Sequence, residues 1–275
     1  MSSPRKPTDK PLTPGEAWQP FTPRGIAAFA FATRTRLFLA QLATAGIVAI
    51  AVVWFLSETW FPVVTEAIQK LPETGEIRGA ALSYSGTSPV RLAENRRLAI
   101  VVDPERTGAA GHVADLEMTF ENTRLALCGP LGCYHVPYVR GYQFALNRPE
   151  LEPAWGAWRG PFLGVAAIGT LLWLFVTWWV LALLYSPLVR IIAFYGDRTI
   201  TWGGAWRLSA AALLPGAWIV ALALALYGYG AVDLLRFALH FAVHFAAGLI
   251  FVITSALFLP KFPARSGRNP FTTGS

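Results

Sequence analysis

Phe162-Leu-Gly-Val-Ala-Ala-Ile-Gly-Thr-Leu-Leu-Trp-Leu-Phe-Val-Thr-Trp-Trp-Val-Leu-Ala-Leu-Leu-Tyr185 decides the fold of this chain, because it holds no Asp, Glu, Lys or Arg. As a helix rising about 1.5 Å per residue, such a run crosses a hydrocarbon core of about 30 Å. A helix of an ordinary soluble core carries charge on its solvent face, and this one has none to offer. Residues 37–56 and 208–232 repeat the pattern, and residues 237–259 are interrupted only by His240 and His244. The composition agrees, with 54% hydrophobic and 14% charged residues in a chain of 275, far from the soluble average. The sequence therefore predicts an α-helical integral membrane protein with about four transmembrane helices, at residues 37–56, 161–185, 208–230 and 233–259.

A net charge of +7 raises the question of a nucleic-acid partner, and the distribution of the charge argues against one. Residues 1–36, 186–207 and 260–275 hold twelve Lys or Arg against Asp9, Glu16 and Asp197, whereas residues 57–160 hold ten basic and twelve acidic residues. Basic flanks mark the cytoplasmic side of a span. Both termini and the loop 186–207 are thus expected in the cytoplasm and residues 57–160 outside it, in a multi-pass protein of the plasma (inner) membrane. The arginines then serve topology and touch lipid headgroups. The expected partners are the bilayer and a protein partner or second copy, not nucleic acid. The first run reads as an uncleaved signal anchor, since a long segment precedes it and Ser57-Glu58-Thr59-Trp60 makes a poor cleavage site. Pro4, Pro7, Pro11, Pro14, Pro20 and Pro23 predict a disordered tail over residues 1–36 with a pre-helix at its end, and residues 260–275 form a similar tail.

Between the first two spans the pattern changes to short strand-like segments bounded by turn residues, which predicts a small, mostly β extracytoplasmic domain over residues 57–160. Strands are expected at residues 77–84, 98–102, 115–120 and 124–128. Leu116, Met118 and Phe120 alternate with Glu117 and Thr119, as on a half-buried strand. So small a core gains from a staple. Cys128-Gly-Pro-Leu-Gly-Cys133 holds both cysteines of the chain across a turn, and the economical reading is a structural disulfide, with two free thiols as the alternative. Four intervening residues depart from the Cys-x-x-Cys spacing of redox pairs.

Leu71-Pro72 leading into Gly75-Glu76-Ile77, Pro89 before a strand ending at Asp103, and Trp206-Arg207-Leu208 approaching Pro215 resemble an uncharacterised family of bacterial polytopic membrane proteins. Some members are labelled maltodextrin-utilisation accessory proteins, and the pattern is distantly similar to Yip-type proteins. The resemblance implies an accessory or structural role and carries no catalytic residue.

One constellation with possible chemistry lies in the fourth span. At about 100° per residue, Asp233, Arg236, His240 and His244 fall within an arc of about 80°. Ionisable groups in a membrane are costly and mark ion paths or cofactor sites, so the stripe invites proton or ion movement, a metal, or haem. Two histidines at i and i+4 cannot occupy opposite axial positions on one iron, so a haem would need a partner or second copy, because His112 and His135 are expected outside the membrane. The plainer alternative puts Asp233 and Arg236 at the headgroups as a pair and lets His240 and His244 bond neighbouring helices. No phosphate loop, nucleophile elbow, His-Glu-x-x-His or dinucleotide fingerprint is present. The expectation is a non-enzymatic accessory or scaffold protein without a cofactor, whose extracytoplasmic domain binds a partner or senses a ligand. The alternatives are a transporter or ion-coupled component, or a cofactor-binding membrane subunit.

Overall fold

A computed structural model describes residues 12, 16–17, 19–108 and 114–261, and the chain divides into two compact units. The first unit comprises Met1–Ala49, Gly169–Ala223 and Leu235–Ser275, the second Ile50–Ile168 and Leu224–Leu234. The helices are α1 (Pro23–Ala28), α2 (Arg34–Phe55), α3 (Phe61–Gln69), α4 (Arg148–Tyr195), α5 (Trp202–Ala212), α6 (Leu214–Gly228) and α7 (Leu234–Ala256). Four helical segments, Arg34–Gln69, Arg148–Tyr195, Trp202–Gly228 and Leu234–Ala256, are long and apolar enough to cross a membrane. A β region lies between the first two.

In the first unit α5 and the start of α6 form the centre, with Leu208, Ala210, Ala211, Ala212 and Leu214 fully buried. The most apolar stretch of Trp202–Gly228 is 72% buried, against 11% for that of α4 and of α7. The outer helices each bury one stripe at helical spacing: Leu37, Gln41, Ala45 and Val48 on α2, Trp178, Ala182, Ser186 and Val189 on α4, and Gly248, Val252 and Ser255 on α7. The opposite face of α4 leaves Leu172, Trp173, Val176, Val180, Leu183 and Leu184 exposed. Pro215 supplies no N–H to the preceding turn, and the helix is interrupted between Ala212 and Leu214. At Gly216 a Cβ would lie 2.7 Å from the His244 carbonyl oxygen, so α6 and α7 approach backbone to backbone, as small residues permit.

At the end of the N-terminal tail, where a pre-helix is expected, stands α1, Pro23–Ala28. Thr22 Oγ1 accepts from Gly25 N, Pro23 sits in the first turn of α1 where its missing N–H costs nothing, and Ile26, Ala27 and Phe29 are fully buried. Arg207 Nη2 donates to the Ala30 carbonyl at 2.6 Å. The apolar run after the last proline is what folds. The rest of the proline-rich tail, with the C-terminal tail beyond Lys261, lies outside the described residues.

The second unit corrects the span borders. The first helix does not stop at residue 56 but passes through a π-helical turn, Leu56–Trp60, into α3. Nothing in Ser57-Glu58-Thr59-Trp60 breaks a helix, and the wider turn accommodates Pro62. Residues 148–160 are likewise helical, as the start of α4. Residues 57–69 and 148–160 therefore do not belong to a β structure.

Between them stand β1 (Gly75–Arg78), β2 (Ala81–Tyr84), β3 (Val90–Glu94), β4 (Leu98–Val102), β5 (Leu116–Phe120), β6 (Arg124–Gly129), β7 (Gly132–Pro137) and β8 (Phe144–Ala145). They form a three-stranded sheet of order β2-β1-β8 and a five-stranded sheet of order β3-β4-β5-β6-β7, antiparallel throughout except for the β4–β5 pair. The single strand expected at residues 77–84 is a hairpin. Gly79 and Ala80, at φ 62° and 68°, make the two-residue turn with both central residues left-handed that matches strand twist. Val63, Ala67, Ile77, Leu82, Leu98 and Ile100 meet in one core between α3 and the sheets. Glu117, expected on a solvent face, is buried.

Candidate functional site

The fourth-span stripe is held by its own helix. Asp233 precedes α7, and Arg236, His240 and His244 lie on it. His240 Nδ1 bonds the Arg236 carbonyl at 2.6 Å, and His244 Nδ1 bonds the Phe241 carbonyl. A carbonyl only accepts, so at each histidine Nδ1 is the donor. The His244 ring packs 3.8 Å from Phe245 and 4.7 Å from Phe241, centroid to centroid. Among the described residues no group of three or more His, Cys, Asp or Glu stands close enough to hold a metal ion. His135 is on exposed β7, and His112 lies outside the described residues. Haem or metal at His240 and His244 would therefore need ligands from elsewhere.

Cys128 and Cys133 are disulfide-bonded and sit opposite each other in the β6–β7 register, with Gly129 paired to Gly132 at the turn. The bond closes the hairpin whose outer strand, β7, is exposed along its whole length. Leu131 at the turn and Tyr134 and Val136 on β7 stand out to solvent, and among the described residues β7 pairs on one side only.

The second unit also contains a concave apolar groove of about 680 Å³. Ile100, Met118 and Phe120 line it from the sheet, Val64 and Ile68 from α3, and Leu151, Ala154, Trp158 and Phe162 from α4. Among the described residues no charged side chain lines it. Its two helical walls are locked together: Trp155 Nε1 donates to Thr65 Oγ1 at 2.9 Å, Thr65 Oγ1 donates to the Phe61 carbonyl at 2.8 Å, and the Trp155 and Phe61 rings meet edge to face at 4.8 Å.

Beside it the turn between β3 and β4 is tied to two helix ends. Asn95 Nδ2 donates to the Thr59 carbonyl at 2.6 Å, while Asn95 Oδ1 accepts from the N–H groups of Arg97 and Leu98. Arg97, 4% exposed, pairs through Nη1 with Asp115 Oδ2 at 2.9 Å. Its Nη2 donates to the carbonyls of Tyr227 and Val232, capping the end of α6 where unpaired carbonyls gather. The guanidinium lies 3.8 Å over the Tyr227 ring, and Tyr227 Oη donates to Asp115 Oδ2 at 2.8 Å. Sequence reasoning missed both groove and clamp. Arg97 stands beside Arg96 in a turn, where solvated charge is the default, and its carbonyl partners lie 130 and 135 residues away.

Comparison with protein families, with curated proteins and with solved structures finds no match to this chain.

Proposed function

We propose that this chain is a multi-pass, non-enzymatic membrane accessory protein whose inserted β unit faces the extracytoplasmic side and binds an apolar, chain-like ligand in its groove. The observation that carries the reading is the groove itself: about 680 Å³, uncharged, and lined jointly by sheet and helices. That size falls within the range of small-ligand pockets. One end is formed by Trp158 and Phe162, both exposed, and Phe162 opens the charge-free run of the second span. An aromatic pair at that position fits the interfacial belt of a membrane, from which an acyl chain can enter. The side assignment rests on the bias of Lys and Arg, and the accessory role agrees with the family resemblance.

The test uses the full chain in lipid nanodiscs and a fluorescent fatty acid as probe. Wild type binds it saturably, Ala154→Arg on the exposed groove wall weakens binding at least about tenfold, and His240→Ala and His244→Ala bind as wild type. Equal binding by wild type and Ala154→Arg sinks the reading. A protein partner is the second reading, favoured by the one-sided pairing and exposure of β7, since a free edge accepts an added strand. In that case crosslinks from Tyr134 to a partner appear, and the groove variant leaves them unchanged.

A further inference from the structure

The first unit holds a cavity of about 560 Å³ with a different chemistry from the groove. Arg34 and Gln41 line it from α2 and Arg207 from α5, and among the described residues no carboxylate lines it. Arg34 is exposed, and among the described residues its guanidinium has no hydrogen bond or ion pair. Arg207 spends Nε and Nη2 on the Phe29 and Ala30 carbonyls, which leaves Nη1 to give. Gln41 is 1% exposed, and its Nε2 has no hydrogen-bond partner among the described residues. A buried donor left in this state is costly, and two cations on one cavity repel each other. One anion with several acceptor oxygens relieves both.

The remaining walls say which anion. Phe38, Trp179 and Leu183 line the cavity and are also exposed, so it opens along an apolar face. Trp202 and Trp206 line it as well, and Trp202 is held under the Arg190 guanidinium at 4.9 Å. A free inorganic anion has no use for this much aromatic surface, whereas a phospholipid presents a phosphate at one end and hydrocarbon at the other. We propose that this cavity is a binding site for an anionic phospholipid, its phosphate held by Arg34, Arg207 and Gln41 and its chains along Phe38, Trp179 and Leu183. The proposal rests on the membrane reading above and is independent of the groove.

The chain is reconstituted in nanodiscs of equimolar phosphatidylglycerol and phosphatidylcholine, then released into detergent, and the retained lipid is identified by mass spectrometry. Wild type retains phosphatidylglycerol in preference to phosphatidylcholine by at least about tenfold. Arg34→Gln loses that preference, Arg34→Lys keeps part of it, and Arg36→Gln, whose side chain does not line the cavity, keeps all of it. Thermal unfolding of Arg34→Gln at the wild-type temperature shows that the loss is one of binding. No preference in wild type, or equal loss in Arg36→Gln, overturns the site. Displacement of the lipid by millimolar inorganic phosphate assigns the cavity to a free anion and overturns the lipid. A chain that fails to enter nanodiscs refutes the membrane reading instead, and with it this site.

Discussion

At the scale of the residue, Arg97 outranks the only disulfide. Its guanidinium is buried among Asp115, the Tyr227 ring and two carbonyls, and removing one member of such a group leaves the others unpaired. Arg97→Met is expected to lower stability by about 3–5 kcal/mol. The double substitution Cys128→Ser and Cys133→Ser opens a loop of only 5 residues' separation and is expected to cost about 2 kcal/mol. Denaturant titration of both variants in detergent checks the ranking. Tyr138 gives a pH dependence. Burial first, and then the nearby Glu121 carboxylate, raise its hydroxyl above the usual tyrosine range, and Tyr138 Oη donates to the Glu121 carbonyl at 3.0 Å. A raised folded pKa contributes stability that is complete below the unfolded value of about 10 and is lost as pH climbs through the folded one. Tyr84, also raised by burial, acts in the same direction. Unfolding of the β unit is therefore promoted above about pH 10, and Tyr138→Phe makes that alkaline limb shallower. Proton-resolved unfolding curves of the two proteins would show it. The cysteines were legible because proximity in sequence equals proximity in space. Arg97 was not, because nothing local distinguishes a solvated arginine from a clamping one.

At the scale of the element, periodicity read the helices well and their ends poorly. A charge-free run reports the part of a helix that needs an apolar surrounding, and α4 begins at Arg148 and ends at Tyr195 because polar residues also form helices. β4 was legible as an apolar run and β5 by alternation. The hairpin of β1 and β2 was not, because Ala80 at positive φ is not a turn signal. β7 was hidden by its exposure, which erases the apolar pattern on which strand reading relies. The contact of α6 with α7 supplies an element-scale prediction. Gly216→Val drives a side chain into the His244 carbonyl, 2.7 Å from the new Cβ, and overpacking of this kind costs about 1–3 kcal/mol. Gly164→Ala on α4, where a Cβ meets nothing within 4 Å, stays within about 0.5 kcal/mol. Thermal unfolding in detergent separates the two, and equal midpoints would refute close packing of the helices.

At the scale of the whole molecule, the four apolar helices and the inserted β region were visible in the sequence, since hydropathy and charge are global properties of segments. The groove and the cavity were not, because each is made by side chains from several separated segments that no single stretch of sequence advertises. The proposed topology is checked by fusions to alkaline phosphatase, which is active only when exported. A fusion after Gly141 is expected to be active and one after Gly196 inactive. The reverse pattern would turn the protein over in the membrane and move the groove to the cytoplasm.

The Arg97 clamp also sets a clock on synthesis. Its acceptors at Tyr227 and Val232 are made 130 and 135 residues after it, a delay of roughly 7–27 s at ribosomal speeds. During that interval the β strands have all emerged while Arg97 still lacks the carbonyls of the α6 end. The second unit is thus a late product of translation: it closes only when the end of the third long helix arrives.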